Sequence, residues 1–246
     1  MKVAIVTAGN KGIGLEITKK LVENNYKVIV GARSNFLEKE IKNKINFLKV
    51  DLTKFDSHQK LVEEAIKKFG KLDLYVNNLG ISDWRPIQKI DEEFLNKLVS
   101  TNIYSAFWGC KASEKFLQDG SSIINISSIA GKRGSKNNSA YVATKFAMNG
   151  LTQSLAKELG SRNIRVNALC PVLIKTDGLI EALERDYSPV SKKIDDFFEE
   201  FTQSQTALNR LPKGSEVGEM VVFLASGKAS AITGQCINVD CGVFPQ

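Results

Sequence analysis

Short apolar runs alternate with longer amphipathic segments along the whole 246-residue chain. Seven runs rich in Val and Ile predict strands, and they lie at 2–7, 27–32, 45–50, 72–76, 121–127, 163–170 and 236–239. Several of them show little polar alternation, which is typical of strands covered on both faces. Between the runs, apolar residues recur at a helical spacing, as in Ile13, Ile17 and Leu21. The alternation predicts repeated β-α units and a parallel sheet.

No repeat, low-complexity tract or linker divides this alternation. We therefore expect one domain over 1–246, an α/β three-layer, doubly wound Rossmann-type fold with a seven-stranded parallel sheet and helices on both faces. The exception is a long stretch at 173–213, with a break at 186–189 and a helical pattern at 197–201. Long excursions after a strand's carboxyl end often cover a substrate. We expect a substrate-covering lid at 173–213, with a packing insertion or oligomer contact as the alternative.

Composition argues against a membrane protein and a secreted protein. No apolar stretch reaches the roughly 18 residues that a membrane span requires. The segment 1–7 is too short for the apolar region of a signal peptide and runs straight into a glycine turn. We expect a soluble cytoplasmic protein.

The cysteines and the single histidine give no sign of a metal site. No C-x-x-C pair occurs, and no His/Cys cluster has metal-ligand spacing. We expect free thiols, consistent with a reducing compartment, and we expect His58 to be a surface residue at a helix start. One histidine far from any nucleophile motif also argues against a Ser-His-Asp hydrolase. The four cysteines are Cys110, Cys170, Cys236 and Cys241.

The net charge of +7 at pH 7 raises the question of a nucleic-acid partner. Lysines and acids alternate along helical faces, as in 60–68, which is the pattern of a solvated face. Acidic residues also recur over 181–200 in the lid segment. We therefore expect no nucleic-acid partner, while the basic balance suits an anionic cofactor or substrate.

A glycine-rich turn follows the first strand directly and opens a helix. Glycines let the backbone approach a pyrophosphate, whose charge then meets the amide groups and the positive end of the helix. This position between strand and helix predicts a nucleotide site. Its residues are Ala8, Gly9, Asn10, Lys11, Gly12, Ile13 and Gly14.

The end of the second strand, 28–33, indicates which dinucleotide binds. An acidic residue there would bind the ribose 2′-OH of NAD, and none is present. Arg33 offers a planar cation for a 2′-phosphate, and Lys11 can reach the same region. We expect NADP(H), unless both residues are ordinary surface cations.

The most specific signal lies in 121–145. Tyr141 and Lys145 stand four residues apart, on one face of a helix. Ser128 follows an apolar strand thirteen residues before Tyr141. Together with the glycine turn, this ordered set resembles the short-chain dehydrogenases/reductases, and the resemblance covers essentially the whole chain.

The resemblance implies a role for each matching residue. Tyr141 would exchange a proton with the substrate oxygen, and because a free tyrosine has a pKa near ~10 it needs help at neutral pH. The Lys145 ammonium would favour the phenolate and bind the nicotinamide ribose. Ser128 would hydrogen-bond the substrate oxygen, and Asn102 would hold a water in a proton relay.

Further cofactor contacts are implied at positions that match the family's pattern. The resemblance assigns them to the adenine, to the turn after the fourth strand and to the nicotinamide amide. They are Asp51 and Leu52 at the adenine, Asn78 and Gly80 in the turn, and Pro171, Ile174 and Thr176 at the amide, where Ile174 acts through its backbone and Thr176 through its hydroxyl.

Four positions depart from the family's pattern. Ala8 and Cys241 replace glycines, Leu79 replaces an alanine and Val172 replaces a glycine. A methyl group at position 8 is tolerable if the backbone φ there is negative. We expect Leu79 and Val172 to narrow the nicotinamide or substrate pocket, which leaves the substrate open.

The resemblance implies an oxidoreductase that transfers hydride between NADP(H) and a carbonyl or secondary alcohol. Segments 125–131 and 232–235 resemble 3-oxoacyl-carrier-protein reductases, whereas the long 173–213 segment is more like the lids of hydroxyacid and polyol dehydrogenases. A 3-oxoacyl-carrier-protein reductase is therefore the alternative, followed by a catalytically silent NADP-binding sensor. The loop residues Lys132, Arg133 and Lys136 suggest a small anionic substrate, unless that loop is simply solvated.

Family members are usually tetramers or dimers through two helices, which correspond here to 102–117 and 141–159. The resemblance therefore implies a homo-oligomer. An apolar stripe on the second helix allows such an interface, although the same stripe is equally consistent with core packing. Its members are Ala143, Ala147, Leu151 and Leu155.

Overall fold

The computed structural model describes residues 1–35 and 38–245, and in this part of the chain the strands form one sheet. They are β1 (Val3–Thr7), β2 (Lys27–Ala32), β3 (Ile45–Lys49), β4 (Leu72–Asn77), β5 (Leu117–Ile126), β6 (Arg165–Pro171) and β7 (Cys236–Val239). All neighbouring strands are parallel, in the order β3-β2-β1-β4-β5-β6-β7. The predicted seven-stranded sheet is confirmed, with β5 beginning four residues earlier than expected.

Helices connect the strands on both sides of the sheet. They are α1 (Gly12–Glu23), α2 (Lys39–Lys42), α3 (Phe55–Phe69), α4 (Glu92–Val99), α5 (Ser105–Ser113), α6 (Ser139–Leu159), α7 (Asp177–Leu183), α8 (Ile194–Gln205) and α9 (Gly214–Ala225). A π-helical turn at Ser100–Tyr104 joins α4 to α5. Short 3-10 helices occupy Ile87–Lys89, Ile129–Gly131, Gly160–Arg162 and Gly227–Ala229.

Two apolar cores sandwich the sheet, as the three-layer prediction requires. On one face α1 and α9 pack their inward residues, such as Ile17 and Val221, against the strands. On the other face α3, α5 and α6 contribute residues such as Leu61 and Ala156. Strands buried on both faces explain the continuous apolar runs of the sequence, and the doubly wound α/β fold is confirmed.

The strand order reverses around β1, which lies between β2 and β4. In open α/β sheets the crevice outside the carboxyl ends at such a reversal is the usual ligand site. The glycine turn follows β1, and the turn containing Asn78 and Gly80 follows β4. Parallel strands end at one edge, so the segments after β5 and β6 meet these turns there.

His58 is fully buried within α3, so the prediction of a surface histidine was wrong. Its Nε2 lies 2.8 Å from the carbonyl oxygen of Leu52, and its Nδ1 lies 2.7 Å from the Tyr75 hydroxyl. A carbonyl only accepts, so Nε2 carries the hydrogen and Tyr75 donates to Nδ1. The polar neighbours of His58 in sequence hid its place on the inward face, three residues before Leu61.

The segment 173–213 contains α7 and α8, and the helix expected at 197–201 lies inside α8. The chain breaks between these helices, where Tyr187 adopts a left-handed backbone with φ of 64°. This agrees with the break expected at 186–189.

Within the described residues, no helix is both long and apolar enough to cross a membrane. The four cysteines are free thiols, and Cys110 and Cys170 are buried. In the same ranges, no three His, Cys, Asp or Glu side chains lie together in a way that could hold a metal ion.

Candidate active site

The Tyr141 phenol and the Ser128 hydroxyl share a hydrogen bond. Ser128 lies two residues beyond β5, where its Oγ also accepts a bond from the Ala130 backbone nitrogen at 3.1 Å. Tyr141 lies in the first turn of α6. The end of a central strand and the start of a long helix therefore bring together the two groups that the sequence predicted.

Burial raises the pKa of Tyr141 to about 12, and the hydrogen bond with Ser128 offsets only part of that rise. The phenol is therefore protonated at neutral pH. In this form it can donate a proton to a developing oxyanion, which is the direction of proton transfer in carbonyl reduction.

Lys145 is buried beneath Tyr141. Its ammonium donates a hydrogen bond to the carbonyl oxygen of Ile126 at 2.9 Å and lies 5.7 Å from the centre of the Tyr141 ring. Burial lowers the pKa of Lys145 to about 8. An ammonium has three donors, so the bond to Ile126 leaves capacity for a ligand.

Asn102 lies in the π-helical turn between α4 and α5 and is fully buried. Its Oδ1 accepts from the Ile81 nitrogen at 2.8 Å, and its Nδ2 donates to Ile81 oxygen at 3.0 Å and to Thr144 Oγ1 at 3.1 Å. The Thr144 hydroxyl in turn donates to the Tyr141 carbonyl oxygen at 2.7 Å. The Asn102 side chain thus ties the turn after β4 to α6, and its role in a water relay stays a prediction.

Gly80 keeps the approach to these groups open. A Cβ atom at this position would lie 3.5 Å from both the Lys145 Nζ and the Asn102 Oδ1. A longer side chain would therefore lie against the ammonium. This small residue fits a site in which a cofactor ribose approaches Lys145.

The glycine turn has the close packing that a pyrophosphate site requires. Gly12 has φ of +54°, and a Cβ there would lie 3.5 Å from the Thr176 side chain, so the turn approaches the segment after β6. At Gly14 a Cβ would lie 2.2 Å from the Ala8 carbonyl oxygen, an impossible contact. Only glycine at position 14 lets α1 start this close to the end of β1.

Ala8 adopts a left-handed backbone with φ of 51°, so the negative φ that would have made its methyl group easy to accommodate is absent. Its nitrogen donates to the Gly31 oxygen at 2.7 Å, and its oxygen accepts from the Asn78 side chain at 3.2 Å. These bonds from β2 and the turn after β4 hold the conformation against its steric cost of about 1–2 kcal/mol.

The adenine end of the crevice lies at the ends of β2 and β3. Asn10 donates from its amide to the Ser34 hydroxyl at 2.8 Å and so joins the glycine turn to the segment that carries Arg33. Partial burial alone would raise the pKa of Asp51, but two bonds from Thr53 and the charge of Arg33 lower it. Arg33 and Asp51 therefore lie close together beside the turn.

At the other end of the crevice, Pro171 ends β6 and Ile174 is buried. The Thr176 hydroxyl caps α7 by accepting from the Leu179 nitrogen at 3.2 Å. The same side chain contacts the glycine turn at Gly12. The predicted nicotinamide segment and the predicted phosphate turn are thus neighbours.

The 173–213 segment is docked over this edge of the sheet. Trp84, in the loop after β4, packs with Leu183 of α7 and Phe198 of α8. Arg185 forms an ion pair with Asp83 at 2.9 Å. The segment thus packs against the loop after β4, and its role as a substrate-covering lid stays a prediction.

Apolar side chains next to Ser128 form one wall. Ile129, Val172 and Val243 make a buried cluster, and Phe201 of α8 packs against it. Val172 thus lies in this wall, whereas Leu79 packs against the core on the α3 face. Of the basic loop residues, Arg133 lies over the Phe244 ring at 5.7 Å.

Sequence reasoning did not single out several residues that build the site. Thr7 accepts bonds from the nitrogens of Asn78 at 2.8 Å and Leu79 at 3.1 Å and so fixes the turn after β4. Ser34 and Trp84 were also missed. The partners of these residues lie far away in the chain, so no local sequence pattern marks them. Thr7 is a partial exception, because a threonine at the end of a strand and before a glycine turn can be recognised in the sequence.

Comparison with known proteins places this arrangement among dehydrogenases. A family model described as Enoyl-(Acyl carrier protein) reductase matches residues 7–244. The chain is 36% identical to L-2,3-butanediol dehydrogenase of Corynebacterium glutamicum, over 99% of this chain and 98% of the relative. It is 34% identical to 3-oxoacyl-acyl-carrier-protein reductase FabG of Staphylococcus aureus, over 99% and 98%.

Among solved structures, a single-substitution variant of actinorhodin polyketide ketoreductase with NADPH superposes with a TM-score of 0.90 at 28% identity, over 98% of this chain and 97% of that one. Because the superposition covers nearly all of both chains, it includes the glycine turn, the 173–213 segment and the last strand. The likeness therefore includes every segment that builds the site.

Proposed function

The chain belongs to the short-chain dehydrogenase/reductase family and is an oxidoreductase acting on carbonyl or alcohol groups, and from this premise we propose that it is an NADP(H)-dependent carbonyl reductase with Tyr141 as general acid. The observation that carries the proposal is the Ser128–Tyr141 hydrogen bond beside the buried Lys145 ammonium. These three groups supply a proton, a bond to the substrate oxygen and a stabilising charge.

A substrate carbonyl oxygen placed between Ser128 and Tyr141 would accept a bond from each hydroxyl. A bound nicotinamide supplies the hydride that reduces the carbonyl carbon. As negative charge develops on the oxygen, Tyr141 donates its proton and Ser128 stabilises the remaining charge. The Lys145 ammonium then stabilises the phenolate that is left. In the oxidation direction the same groups act in reverse.

Three features of the crevice support a dinucleotide cofactor with a 2′-phosphate. The glycine turn leads directly from β1 into the start of α1, where backbone amides and the helix dipole suit a pyrophosphate. Arg33 is exposed at the end of β2, where a cation suits a phosphate and no acid is present for a ribose hydroxyl. Lys11 precedes α1 in the same turn and is also exposed. We propose NADP(H) rather than NAD(H).

A second candidate function is reduction of 3-oxoacyl groups on a carrier protein. The relative from Staphylococcus aureus carries that name, and the basic loop Lys132, Arg133 and Lys136 leads into α6. A basic rim suits the phosphate of a carrier's prosthetic group. A 3-oxoacyl thioester with and without the carrier would decide between the two.

We also propose a homo-oligomer built on α5 and α6. Aromatic side chains stand exposed on this surface: Tyr104 is 52% exposed, and Phe107 and Phe146 are each 48% exposed. Ala143 and Ala147 of the predicted stripe face outward as well. Small residues beside exposed aromatic rings suit a surface that meets a second copy of itself. Phe107→Glu should lower the mass seen by light scattering without unfolding the protein.

The free cysteines of the chain are compatible with a reducing compartment. We accordingly propose a cytoplasmic location. Fractionation of the cells that express the protein would test it.

The proposed activity is tested with a panel of carbonyl substrates and NADPH. The panel should contain short ketones, hydroxy ketones, sugars, a keto acid and a 3-oxoacyl thioester. Oxidation of NADPH, followed by its absorbance, is expected with at least one of them. A protein that binds NADPH tightly but turns over none of these substrates would contradict the proposal and favour a silent sensor.

A further inference from the structure

The 3-10 turn that follows Ser128 is held against α6 by a buried asparagine that the proposed mechanism does not use. Asn149 lies on α6, four residues after Lys145, and is only 8% exposed. Its Nδ2 donates a hydrogen bond to the carbonyl oxygen of Gly131 at 2.9 Å. Gly131 is the last residue of the 3-10 turn Ile129–Gly131. The bond therefore joins α6 to the end of the turn that begins directly after Ser128.

The amide group of Asn149 is fixed in this orientation at both of its ends. Its Oδ1 accepts a weak bond from the Cys170 thiol, with sulfur and oxygen 3.9 Å apart. Cys170 lies on β6 and is fully buried. The Gly131 carbonyl oxygen can only accept, so the Nδ2 of Asn149 must face it. The side chain is therefore held between the sheet and the turn, with its donor directed at the turn.

Gly131 lets the turn come this close to α6. A Cβ atom at position 131 would lie 2.7 Å from the Asn149 Nδ2 and 2.8 Å from the Lys145 carbonyl oxygen. These contacts are too short for a side chain, so any other residue would push the turn away from the helix. The close backbone approach and the buried hydrogen bond occur at the same point. The distance between the turn and α6 is therefore set here.

The turn in its own hydrogen bonds fixes the Ser128 hydroxyl. The Ser128 Oγ accepts from the Ala130 nitrogen at 3.1 Å, and the Ser128 carbonyl oxygen accepts from the Gly131 nitrogen at 2.9 Å. Both donors lie within the turn whose end Asn149 holds. A shift of that end therefore moves the Ser128 hydroxyl relative to the Tyr141 phenol, with which it shares a hydrogen bond.

The chain before Ser128 is tied to α6 by different bonds. The Lys145 ammonium donates to the Ile126 carbonyl oxygen at 2.9 Å, and the Ser127 hydroxyl donates to the Lys145 carbonyl oxygen at 3.4 Å. These bonds hold the end of β5, whereas the Asn149 bond holds the chain after Ser128. Loss of the Asn149 amide therefore leaves the end of β5 in place and releases the turn.

We infer that Asn149 is a positioning residue that holds the Ser128 hydroxyl in place for the substrate oxygen. It acts through Gly131 and the turn rather than by touching the substrate. The inference rests on the proposed function, in which Ser128 stabilises the charge that develops on the reacting oxygen. Such stabilisation depends on a donor that is already in place when the charge develops. Loss of the Asn149 amide should therefore slow the chemical step and leave cofactor binding unchanged.

A double-mutant cycle tests whether Asn149 acts through Ser128. Steady-state kcat is measured with NADPH and a substrate found in the carbonyl panel, for the wild type, Asn149→Ala, Ser128→Ala and the double variant. The Kd for NADPH is measured for the same four proteins. Asn149→Leu serves as a second form of the single change, because leucine is close to asparagine in shape and lacks its amide.

Thr152→Val is the matched control for loss of a buried hydrogen bond on the same helix. Thr152 is fully buried on α6 and accepts a bond from the Asn125 side chain at 2.9 Å. Its hydroxyl donates to the Met148 carbonyl oxygen at 2.9 Å. Valine keeps the shape of threonine and removes both bonds. The control therefore disturbs the contact between α6 and the sheet without touching the Gly131 bond.

We expect Asn149→Ala and Asn149→Leu to lower kcat about tenfold, the effect of losing one buried hydrogen bond. Ser128→Ala should lower it by about 10²- to 10³-fold, as for a lost oxyanion donor. In the Ser128→Ala background, Asn149→Ala should cost no more than about twofold, because residues that act as a unit are not additive. Thr152→Val should lower stability and leave kcat unchanged, and no variant should change the Kd for NADPH.

Hydrogen exchange of the cofactor-free protein measures the same tie without catalysis. The amides of residues 130–133 should exchange faster in Asn149→Ala than in the wild type, because the turn has lost its bond to α6. The amides of β1 and β4 should keep their wild-type rates. Unchanged exchange at 130–133 would mean that Asn149 does not hold the turn, and it would overturn the inference.

Three kinetic results would also overturn it while leaving the proposed reductase activity intact. The first is an equal fold loss from Asn149→Ala in the wild-type and Ser128→Ala backgrounds, which would show general support of the fold. The second is an unchanged kcat in both Asn149 variants. The third is a loss in Thr152→Val as large as that in Asn149→Ala. If no carbonyl of the panel is reduced by the wild type, the proposed function fails and the inference fails with it.

Discussion

The Lys145 ammonium lies 5.7 Å from the centre of the Tyr141 ring and donates its hydrogen bond to the Ile126 carbonyl oxygen. Its charge therefore acts on the phenol through space, across a part of the protein where burial strengthens such effects. At the same time Ser128 is hydrogen-bonded to the phenol. In this arrangement we expect Tyr141 to be the proton donor and Lys145 to stabilise its anion.

Replacing Tyr141 with Phe tests this assignment. The variant should fold and bind NADPH like the wild type, because the ring is kept and only the hydroxyl is lost. Its kcat should fall by about 10²- to 10⁴-fold, the usual contribution of a general acid. The measurement is NADPH oxidation on a substrate confirmed for the wild type, with Tyr104→Phe, an exposed tyrosine, as the control. Near wild-type turnover in Tyr141→Phe would remove Tyr141 from the mechanism.

Arg33→Ala tests the choice of cofactor. A charge-assisted bond to a 2′-phosphate contributes roughly 1.5–3 kcal/mol, so the Kd for NADPH should rise about 10- to 150-fold. NADH has no 2′-phosphate, and its Kd should stay nearly the same. Calorimetric titration of both cofactors gives the two values, and Arg162→Ala, whose guanidinium pairs with Glu114 elsewhere, is the control.

Two results of that titration would contradict the NADP(H) proposal. Equal losses for the two cofactors would mean that Arg33 supports the adenine site, through its closeness to Asp51, rather than the phosphate. A wild type that binds NADH more tightly than NADPH would reverse the assignment. The double variant with Lys11→Ala is expected to fall short of additivity, because both cations would share one partner.

Ala8→Gly tests the strain in the glycine turn. Ala8 has φ of 51°, where a Cβ costs about 1–2 kcal/mol, and glycine loses more backbone entropy on folding. The two effects together should leave the free energy of unfolding about 0–1 kcal/mol higher in the variant. Lys60→Gly, at an exposed position of α3, should instead lower it by about 0.5–1 kcal/mol. Urea denaturation of the two variants gives both numbers; a clear loss of stability in Ala8→Gly would show that the Ala8 methyl group packs favourably.

The buried His58 predicts a specific loss of stability in acid. Burial lowers its pKa to about 4, whereas the unfolded chain has the ordinary value near 6.5. The unfolded state therefore takes up a proton first as the pH falls, and stability is lost between about pH 6.5 and pH 4. The full loss corresponds to about 3 kcal/mol.

This loss can be isolated with the double variant His58→Leu with Tyr75→Phe. The double change removes both polar partners of the buried pair, so neither is left without a bond. Chemical denaturation at pH 7, 6, 5 and 4 should show a flatter pH dependence in the double variant than in the wild type. Identical slopes would mean that His58 does not titrate differently in the folded and unfolded states.

The lid segment 173–213 is expected to open and close. It is held by the Trp84 contacts and by the Arg185–Asp83 ion pair, which is partly exposed and contributes about 1 kcal/mol. Without ligand its amides should exchange hydrogen faster than those of the sheet, and NADP with substrate should slow them. Equal, strong protection in both states would favour a packing insertion.

Arg185→Ala gives a kinetic check on the same idea. Loss of the ion pair should raise KM for the substrate a few-fold and leave the Kd for NADPH unchanged, because Arg185 and Asp83 lie outside the predicted cofactor site. Arg162→Ala removes an exposed ion pair away from the lid and should change neither value. A rise in the NADPH Kd of Arg185→Ala alone would indicate that the lid orders the cofactor site instead.

Local pattern predicted the architecture and the glycine turn, and the resemblance to a known family supplied most of the predicted site residues. Strands buried on both faces appear as continuous apolar runs, and β-α alternation implies parallel strands whose carboxyl ends share one edge. The glycine turn after β1 and the spacing of Ser128, Tyr141 and Lys145 are fixed distances along the chain. These features were therefore visible without knowing which segments pack together.

Other features depended on partners far away in the chain, and only the tertiary structure decided them. His58 is buried because Tyr75, on β4, supplies its second hydrogen bond, and Ala8 is held at positive φ by bonds to Gly31 and Asn78. The sequence records each residue's own chemistry, but a buried group's cost or use depends on the atoms that folding brings against it.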